Sequence, residues 1–317
     1  MTGSEALRFT VAVIHRNGAA RLDEALSSIE QAIDPVRDEI IVVDNASSDG
    51  SLEPVLARHP GVQAIRNECN GGYAYACNQA MRAGRGSYFL VCNNDLRLPP
   101  DALTRFEEDF LAFPKAGLIG GQLLGEDGGM QHSSGGSPGF FSELGLLHTK
   151  AQPPDRGRVE QVEGLVGACM AARRAAVEAA GALDESFFFY FEEAEWCVRM
   201  RRSGWDVLFD PRVRIVHVGG ASTRPLQWAA RVEFFRSRLL YYRRTMSLPK
   251  TALLYFWRGL HLLWGLLSYG LLVGLTLGRS SRLRGKLDER LLLLAWLARA
   301  CPADWGLPDK CPRGPVT

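Results

Sequence analysis

Apolar and polar positions follow two periods along the first 125 residues, and the switching between them predicts strands and helices in turn. "RFTVAVIH" is a β-rich apolar run. In "AARLDEALSSIEQAI", Leu22, Ala25, Leu26 and Ile29 share one face at helical spacing. "DEIIVVDN" is a continuous apolar strand, suited to the middle of a parallel sheet. A short helix "SLEPVLARH", a strand "VQAIRN" and a helix "GYAYACNQAMRAG" ending at Gly84 come next. A buried strand "SYFLVCNND" and a helix "PDALTRFEEDFLAF" follow, and "AGLIGGQLLG" closes the series. Repeated β-α units imply an α/β fold with a mostly parallel, doubly wound sheet flanked by helices. Right-handed crossovers are then the default.

Residues 125–160 are rich in Gly, Ser and Pro and read as mobile loops. Beyond them, "VEGLVGACMAARRAAVEAAGALD" reads as a strand and a helix, and "FEEAEWCVRMRRSG" as a helix stopped by Gly204. "WDVLFDPRVRIVHVGG" reads as two short strands. From about Leu226 the pattern turns helical and basic. The expected division is an α/β domain over 1–225 and a helical, membrane-associated region over 226–317.

Charge sharpens that division. The net charge is +2, yet residues from Ala221 onward carry 16 Lys/Arg against 5 Asp/Glu. Within this basic tail, "GLHLLWGLLSYGLLVGLTLG" (259–278) has no Asp, Glu, Lys or Arg. It is just long enough to span a bilayer. Basic residues flank both ends, which opposes the positive-inside bias of a spanning helix and favours one lying in or re-entering an anionic surface. A buried helical pair or an oligomer interface is the plainer alternative. The apolar run points to a membrane surface and away from nucleic acid. The seven cysteines form no CxxC pair and no metal-ligand spacing, so reduced thiols in a reducing compartment are expected. The N-terminal stretch lacks the long apolar core of a signal peptide.

In open α/β sheets, ligands bind beyond the carboxyl ends of the strands. Asp44 ends "IIVVD", Asp95 follows "YFLVCNN", and Glu192 and Glu193 follow five unbroken aromatics in "FFFYFEEAEWC". Each has a plain reading. Asp44 and Asp49 suit a turn and helix cap, and Asp95 a turn before Pro99 and Pro100. His217 can be merely structural, and Glu195 can pair with Arg199 one helical turn on. The functional readings are a nucleoside contact at Asp44 and a divalent metal at Asp95 with His217. "NECNGGYAYACNQA" is either a Gly-hinged ligand loop or an ordinary turn. No G-x-G-x-x-G follows the first strand, and neither a phosphate-binding G-x-x-x-x-G-K-[ST] nor a G-x-S-x-G elbow occurs.

"VAVIHRNG", "EIIVVDNASSDGS", "IRNECNGGYAYACNQA", "YFLVCNNDLRLPP" and the stretch from "LVGACM" to "VHVGGAS" occur in this order. Together they resemble a family 2 inverting glycosyltransferase of the GT-A fold, rhamnosyltransferase-like branch, over roughly residues 8–245. The resemblance implies that Asp44 and Asn45, with His15, Arg16 and Asn17, line a nucleotide-sugar pocket. It extends that pocket to Asn70, Gly71, Asn78, Asn94 and Asp95. It implies Asp95 and His217 as ligands of Mg2+ or Mn2+, and Glu193 as general base with Glu192 in support. Two departures stand out: His15-Arg16-Asn17 replaces the usual Thr-Tyr-Asn, and Glu193 replaces the usual Asp. The helix macrodipole is expected to keep the carboxylates of that first turn ionised.

The combined expectation is transfer of a sugar, L-rhamnose first, from a dTDP- or UDP-sugar. The acceptor would be a lipid-linked or lipopolysaccharide glycan at the cytoplasmic face of the inner membrane. A UDP-hexose or UDP-galactofuranose donor stays open. The rival classes are a sugar nucleotidyltransferase and a non-catalytic nucleotide- or glycan-binding subunit.

Overall fold

The computed structural model describes residues 7–153, 155–218, 227–302, 304–308 and 310–311. Four apolar runs build one half of the sheet: β1 (Phe9–His15), β2 (Asp38–Asp44), β3 (Gln63–Arg66) and β4 (Tyr88–Asn93). They lie in the order β3-β2-β1-β4, all parallel. Every residue of β1 and β2 is buried, because both sheet faces are covered. Neighbouring residues on a strand point to opposite faces. Val11, Val13, Ile40 and Val42 therefore pack with Leu22, Leu26 and Ile29 of α1 (Ala19–Ala32) and Phe106 of α4 (Ala102–Ala112). Ala12, Ile14, Ile41 and Val43 meet Ala76, Cys77 and Ala80 of α3 (Tyr73–Ala83) and Trp196 and Met200 of α7 (Glu192–Arg202).

The other half departs from the parallel pattern. β10 (Cys169–Arg173) is inserted antiparallel between β4 and β6 (Ala116–Leu124). β11 (Asp206–His217) runs parallel to β6, and β5 (Leu96–Arg97) pairs antiparallel with its end. The sheet is thus mixed. Strand direction depends on the connection, which an apolar run does not encode. The two short strands expected over 205–220 are one strand with a register shift between Asp210 and Arg214. That shift lets a single strand bend past β6 and still deliver His217 to the site.

The Gly-, Ser- and Pro-rich stretch is largely exposed and is anchored at a few points. β7 (Ser134–Gly135) pairs with β9 (Gly164–Leu165), and α5 (Phe140–Glu143) follows. The buried Glu143 carboxylate accepts from Arg238 Nε at 2.9 Å, from the Tyr242 hydroxyl and from Arg258. These partners come from α8 (Gln227–Thr245) and α9 (Leu248–Leu275), so one carboxylate joins the loop to the C-terminal helices. α10 (Ser281–Ala298) lies along α9, where Gly265 gives the Arg290 side chain room; a Cβ there would sit 2.7 Å from Arg290 Nε.

Cys69 and Cys311 form a disulfide, so the expectation of reduced thiols throughout does not hold for this pair. The backbone bridge from Cys311 N to Asn70 O, 2.9 Å, brings the two cysteines together from 242 positions apart. Cys77, Cys92, Cys169 and Cys197 are free and buried, as small hydrophobes are.

Candidate functional site

The order β3-β2-β1-β4 places the carboxyl ends of β1, β2 and β4 side by side, the edge at which open α/β sheets bind ligands; α1 and α4, which follow β1 and β4, pack on one face, and α3, which follows β3, on the other. His15 closes β1 and is fully buried. The Asn94 amide nitrogen sits 2.8 Å from its Nδ1 and 3.2 Å from the Asn17 carbonyl. Only an amide donor suits both, so His15 Nδ1 accepts and Nε2–H donates to Ser51 Oγ at 2.8 Å. Burial lowers the His15 pKa against the pull of Asp44 and Asp49, so the imidazole is neutral. His15 thus spans three strand ends as a structural tie.

Asp44 closes β2 and caps the turn behind it, accepting from Ser47 N at 3.2 Å and from the Ser47 hydroxyl. Asn17, held at φ 59°, accepts from Ser48 N at 2.8 Å and donates its own N–H to Ser47 Oγ at 2.9 Å. Arg16 donates to the Asn45 carbonyl at 3.3 Å. Asn45 is committed inward: Nδ2 donates to Asn70 Oδ1 at 2.8 Å, and Oδ1 accepts from Gly71 N at 3.0 Å. Asn70 Oδ1 accepts again from Gly72 N. These bonds fold the "CNGG" loop against the β2 end. Gly72 has φ +92°, and a Cβ there would lie 2.5 Å from the Phe188 carbonyl oxygen. The loop needs glycine to press onto the aromatic run.

Asn78 stands apart from this cluster. Its amide bonds Leu183 O at 2.8 Å, Glu185 Oε1 at 2.9 Å and Leu183 N at 3.1 Å, fastening α3 to the segment before the aromatic run.

Asp95 lies one turn beyond β4, and its Oδ1 is buried with no hydrogen-bond partner. His217 Nε2 is 3.6 Å from that oxygen, too far for a hydrogen bond. Gln131 orients the ring. Its Nε2 donates to the His217 carbonyl at 2.8 Å, so its Oε1 is the atom 3.1 Å from His217 Nδ1. Nδ1 then carries a hydrogen, and Nε2 faces the Asp95 oxygen. A carboxylate oxygen and an imidazole nitrogen facing one another are ligand types that fit a hard or borderline divalent cation. Among the described residues no cluster of three or more His, Cys, Asp or Glu could complete the shell. Substrate oxygens and water would have to fill the remaining positions, as is usual for Mg2+.

α7 opens with Glu192 and Glu193, and the chain before it is strained. Tyr190 and Phe191 have φ 71° and 68°, a region bulky side chains avoid. The aromatic run is pinned on both sides: Tyr73 N donates to Phe188 O at 2.9 Å, and Ser237 Oγ to Phe189 O at 2.8 Å. Phe187 is sealed in a cluster with Tyr241, Tyr242 and Leu254. Such over-determination is what allows strain to persist near a functional site. Glu195 pairs with Arg199 at 2.9 Å, as helical spacing predicts.

Both leading carboxyls have one oxygen without a partner, Glu192 Oε2 and Glu193 Oε2. Burial pushes the Glu192 carboxyl far up, and the neighbouring Glu193 charge adds to it. Burial also raises Glu193, against backbone N–H groups that favour its ionised form. Burial therefore outweighs the macrodipole, and both carboxyls are pushed up, Glu192 further than Glu193. Glu193 borders a cavity of about 210 Å³. Gly167 packs against it; a Cβ there would lie 3.2 Å from Glu193 Cβ.

Three supporting residues escaped sequence reasoning: Ser51, Gln131 and Phe234. Ser51 and Gln131 act through contacts 36 and 86 positions away, with no local pattern to reveal them. Phe234 borders the cavity from α8, inside a stretch whose composition suggested only a basic helix.

The Glycosyl transferase family 2 pattern matches residues 10–180, more than half of the chain. One relative is the N-acetylglucosaminyl-diphospho-decaprenol L-rhamnosyltransferase of Mycobacterium tuberculosis. It is 26% identical over 237 residues, covering 67% of this chain and 76% of that protein. The low-salt glycan biosynthesis hexosyltransferase Agl10 of Haloferax volcanii is 28% identical over 53% of this chain and 55% of its own length. In fold, the chain resembles the mannosyltransferase PcManGT of Pyrobaculum calidifontis, solved with GDP-Man and Mn2+. The TM-score is 0.56 at 16% identity, with 92% of this chain and 86% of that one covered. It also resembles GalNAc-T7 with UDP, GalNAc and Mn2+, at TM-score 0.58 and 15% identity, covering 73% of this chain and 47% of that chain. The parallel half-sheet with its acidic strand ends, the carboxylates opening α7 and the match over residues 10–180 lead to one conclusion: the chain belongs to glycosyl transferase family 2 and is an inverting glycosyltransferase of the GT-A fold.

Proposed function

We propose that this enzyme transfers a sugar, L-rhamnose first among candidates, from a nucleoside-diphosphate sugar to a glycan carried on a lipid. A dTDP-sugar is the leading donor, with a UDP-hexose or UDP-galactofuranose as the alternative. The observation that carries the reading is the buried, unpartnered Glu193 oxygen on a residue that lines a cavity of about 210 Å³. Inversion is one displacement, so the attacking hydroxyl must lose its proton as it bonds the anomeric carbon. Glu193 takes that proton. Glu192, keeping its own, adds no second negative charge beside the base. Asp95 and His217 would hold a divalent cation, Mg2+ or Mn2+, which when bound neutralises charge on the leaving diphosphate. Asp44, Asn17 and Arg16 frame the crevice proposed for the nucleoside. His15, Asn45, Asn70, Gly71 and Asn94 would keep its walls in place, and Asn78 would support it from behind α3.

Membrane association is part of the proposal. α9 is one helix long and apolar enough to cross a membrane. Phe256, Leu260, Trp264, Leu267, Leu271 and Leu275 are exposed along it at spacings of three or four, one continuous face. The opposite face, with Leu254, Leu262 and Gly265, packs on the protein. A helix apolar outward and committed inward favours lying in the interface over spanning it. The basic tail supports a cytoplasmic-face location, peripheral or re-entrant.

Replacing Glu193 by Gln keeps the shape and removes the base. Transfer should fall by about 10²–10⁴-fold, while binding of the nucleoside diphosphate, followed by calorimetry, stays within twofold. Wild-type transfer rates in Glu193→Gln would end the assignment of the base.

A further inference from the structure

We propose that the cavity beside Glu193 seats a single sugar ring of the acceptor, held by Ser134 and Phe234; this rests on the transferase reading above. The cavity is about 210 Å³, and sites for drug-sized ligands run to roughly 300–1,000 Å³. One ring fits the smaller space, with the rest of the acceptor outside. Its wall is unfinished in hydrogen-bond terms. Ser134, buried in β7, leaves its hydroxyl without a partner, and Glu193 leaves Oε2 likewise. Buried polar atoms are rarely left so, and the two border the same space. A polyhydroxylated ring offers a hydroxyl to each.

The remaining wall is aromatic. Phe234 meets Tyr190 edge-on at 5.4 Å and Phe191 at 5.1 Å between ring centroids. The strained conformations of Tyr190 and Phe191 bring these rings, and the carboxylate two positions on, to the same cavity. An apolar wall opposite polar atoms matches a sugar ring, which has C–H faces and a hydroxyl rim.

The ring could in principle come from donor or acceptor. The base must touch the attacking hydroxyl, and in an inverting displacement that hydroxyl approaches opposite the leaving group. None of His15, Asp44, Asn94 and Asp95 borders the cavity. The ring beside Glu193 is therefore the acceptor's. Because Phe234 lies on α8, the helix that leads into α9, acceptor recognition and the apolar face share one helical unit.

The test uses the full chain with Phe234→Ala, Phe234→Leu and Ser134→Ala, and octyl β-glycosides of N-acetylglucosamine, glucose and galactose. Phe234→Ala should raise the acceptor KM about tenfold, or about 1.4 kcal/mol, with the donor KM within twofold; Phe234→Leu should recover part of this. Ser134→Ala should narrow the preference among the three glycosides. Saturation-transfer NMR with the matching methyl glycosides and nucleoside diphosphate should lose signal in Phe234→Ala, a readout independent of turnover. A rise in donor KM equal to that in acceptor KM would place the donor sugar here instead. Unchanged KM values and NMR signals would overturn the site altogether. Failure of the transferase reading looks different: Glu193→Gln would then be as active as the wild type, whatever Phe234 does.

Discussion

At the scale of single residues, the decisive features are atoms left without partners. Asp95 Oδ1, Glu192 Oε2, Glu193 Oε2 and Ser134 Oγ are all buried and unpaired. An unsatisfied buried polar atom costs about 1–3 kcal/mol, so these four, two of them on residues that line the cavity, are poor architecture unless ligands complete them. Asp95→Asn tests the metal half of this. It should weaken nucleoside-diphosphate binding in the presence of Mn2+ and leave metal-free binding within twofold, by titration calorimetry. Equal loss with and without Mn2+ would remove Asp95 as a ligand. Gln131→Ala frees the His217 ring and should cost about 10–100-fold in Mn2+ affinity, the usual effect of removing a residue that orients a metal-binding histidine. Asp95, His217 and Glu193 were legible in the sequence because each follows a recognisable strand or aromatic run. Gln131 and Ser51 were not, since a residue that orients another is defined only by what folds beside it.

At the scale of elements, α7 shows how context decides between two opposing effects. Its N-terminus should favour ionised carboxylates by about 0.3–1 kcal/mol, yet burial dominates and raises both Glu192 and Glu193. A base with a raised pKa is ionised only above that raised value. Transfer should therefore fall on the acid side at a pH above the ordinary glutamate value of about 4.3, read from the pH–rate profile. The same shift bears on stability with a definite sign. Between the ordinary value and the raised one, the folded chain binds more protons than the unfolded chain, so stability declines as pH rises. Glu192→Gln should gain melting temperature at pH 8 relative to pH 5; an equal gain at both would refute the shift. Glu143 runs the other way. Burial would raise it, but the Arg238 hydrogen bond and charge, with Tyr242 and Arg258, hold it below the usual carboxylate range. Its contribution is present above the ordinary value and is lost as pH falls through the lowered one.

At the scale of the whole molecule, the enzyme joins the cavity beside Glu193 to an apolar helical face through α8. α8 supplies Phe234 to the cavity and Arg238 and Tyr242 to the Glu143 latch, and α9 carries the exposed row. Placing charge in that row tests the membrane proposal. Leu267→Glu with Leu271→Glu should release the protein from vesicles containing anionic phosphatidylglycerol in a flotation assay. Retention on the vesicles would show that α9 is not the contact. The Cys69–Cys311 disulfide further ties the chain's last described residues to the loop that backs Asn45. The sequence by itself determined the α/β class, the acidic positions at the strand ends and the apolar run in the basic tail. Those depend on local periodicity and on residue types that each segment carries within itself. Only the tertiary structure decided that β10 runs antiparallel, that Cys69 meets Cys311 and that Phe234 borders the cavity. It also decided that burial, not the helix dipole, governs Glu192 and Glu193. Each of these is a contact between distant segments, and its energy exists only once the chain has brought them together.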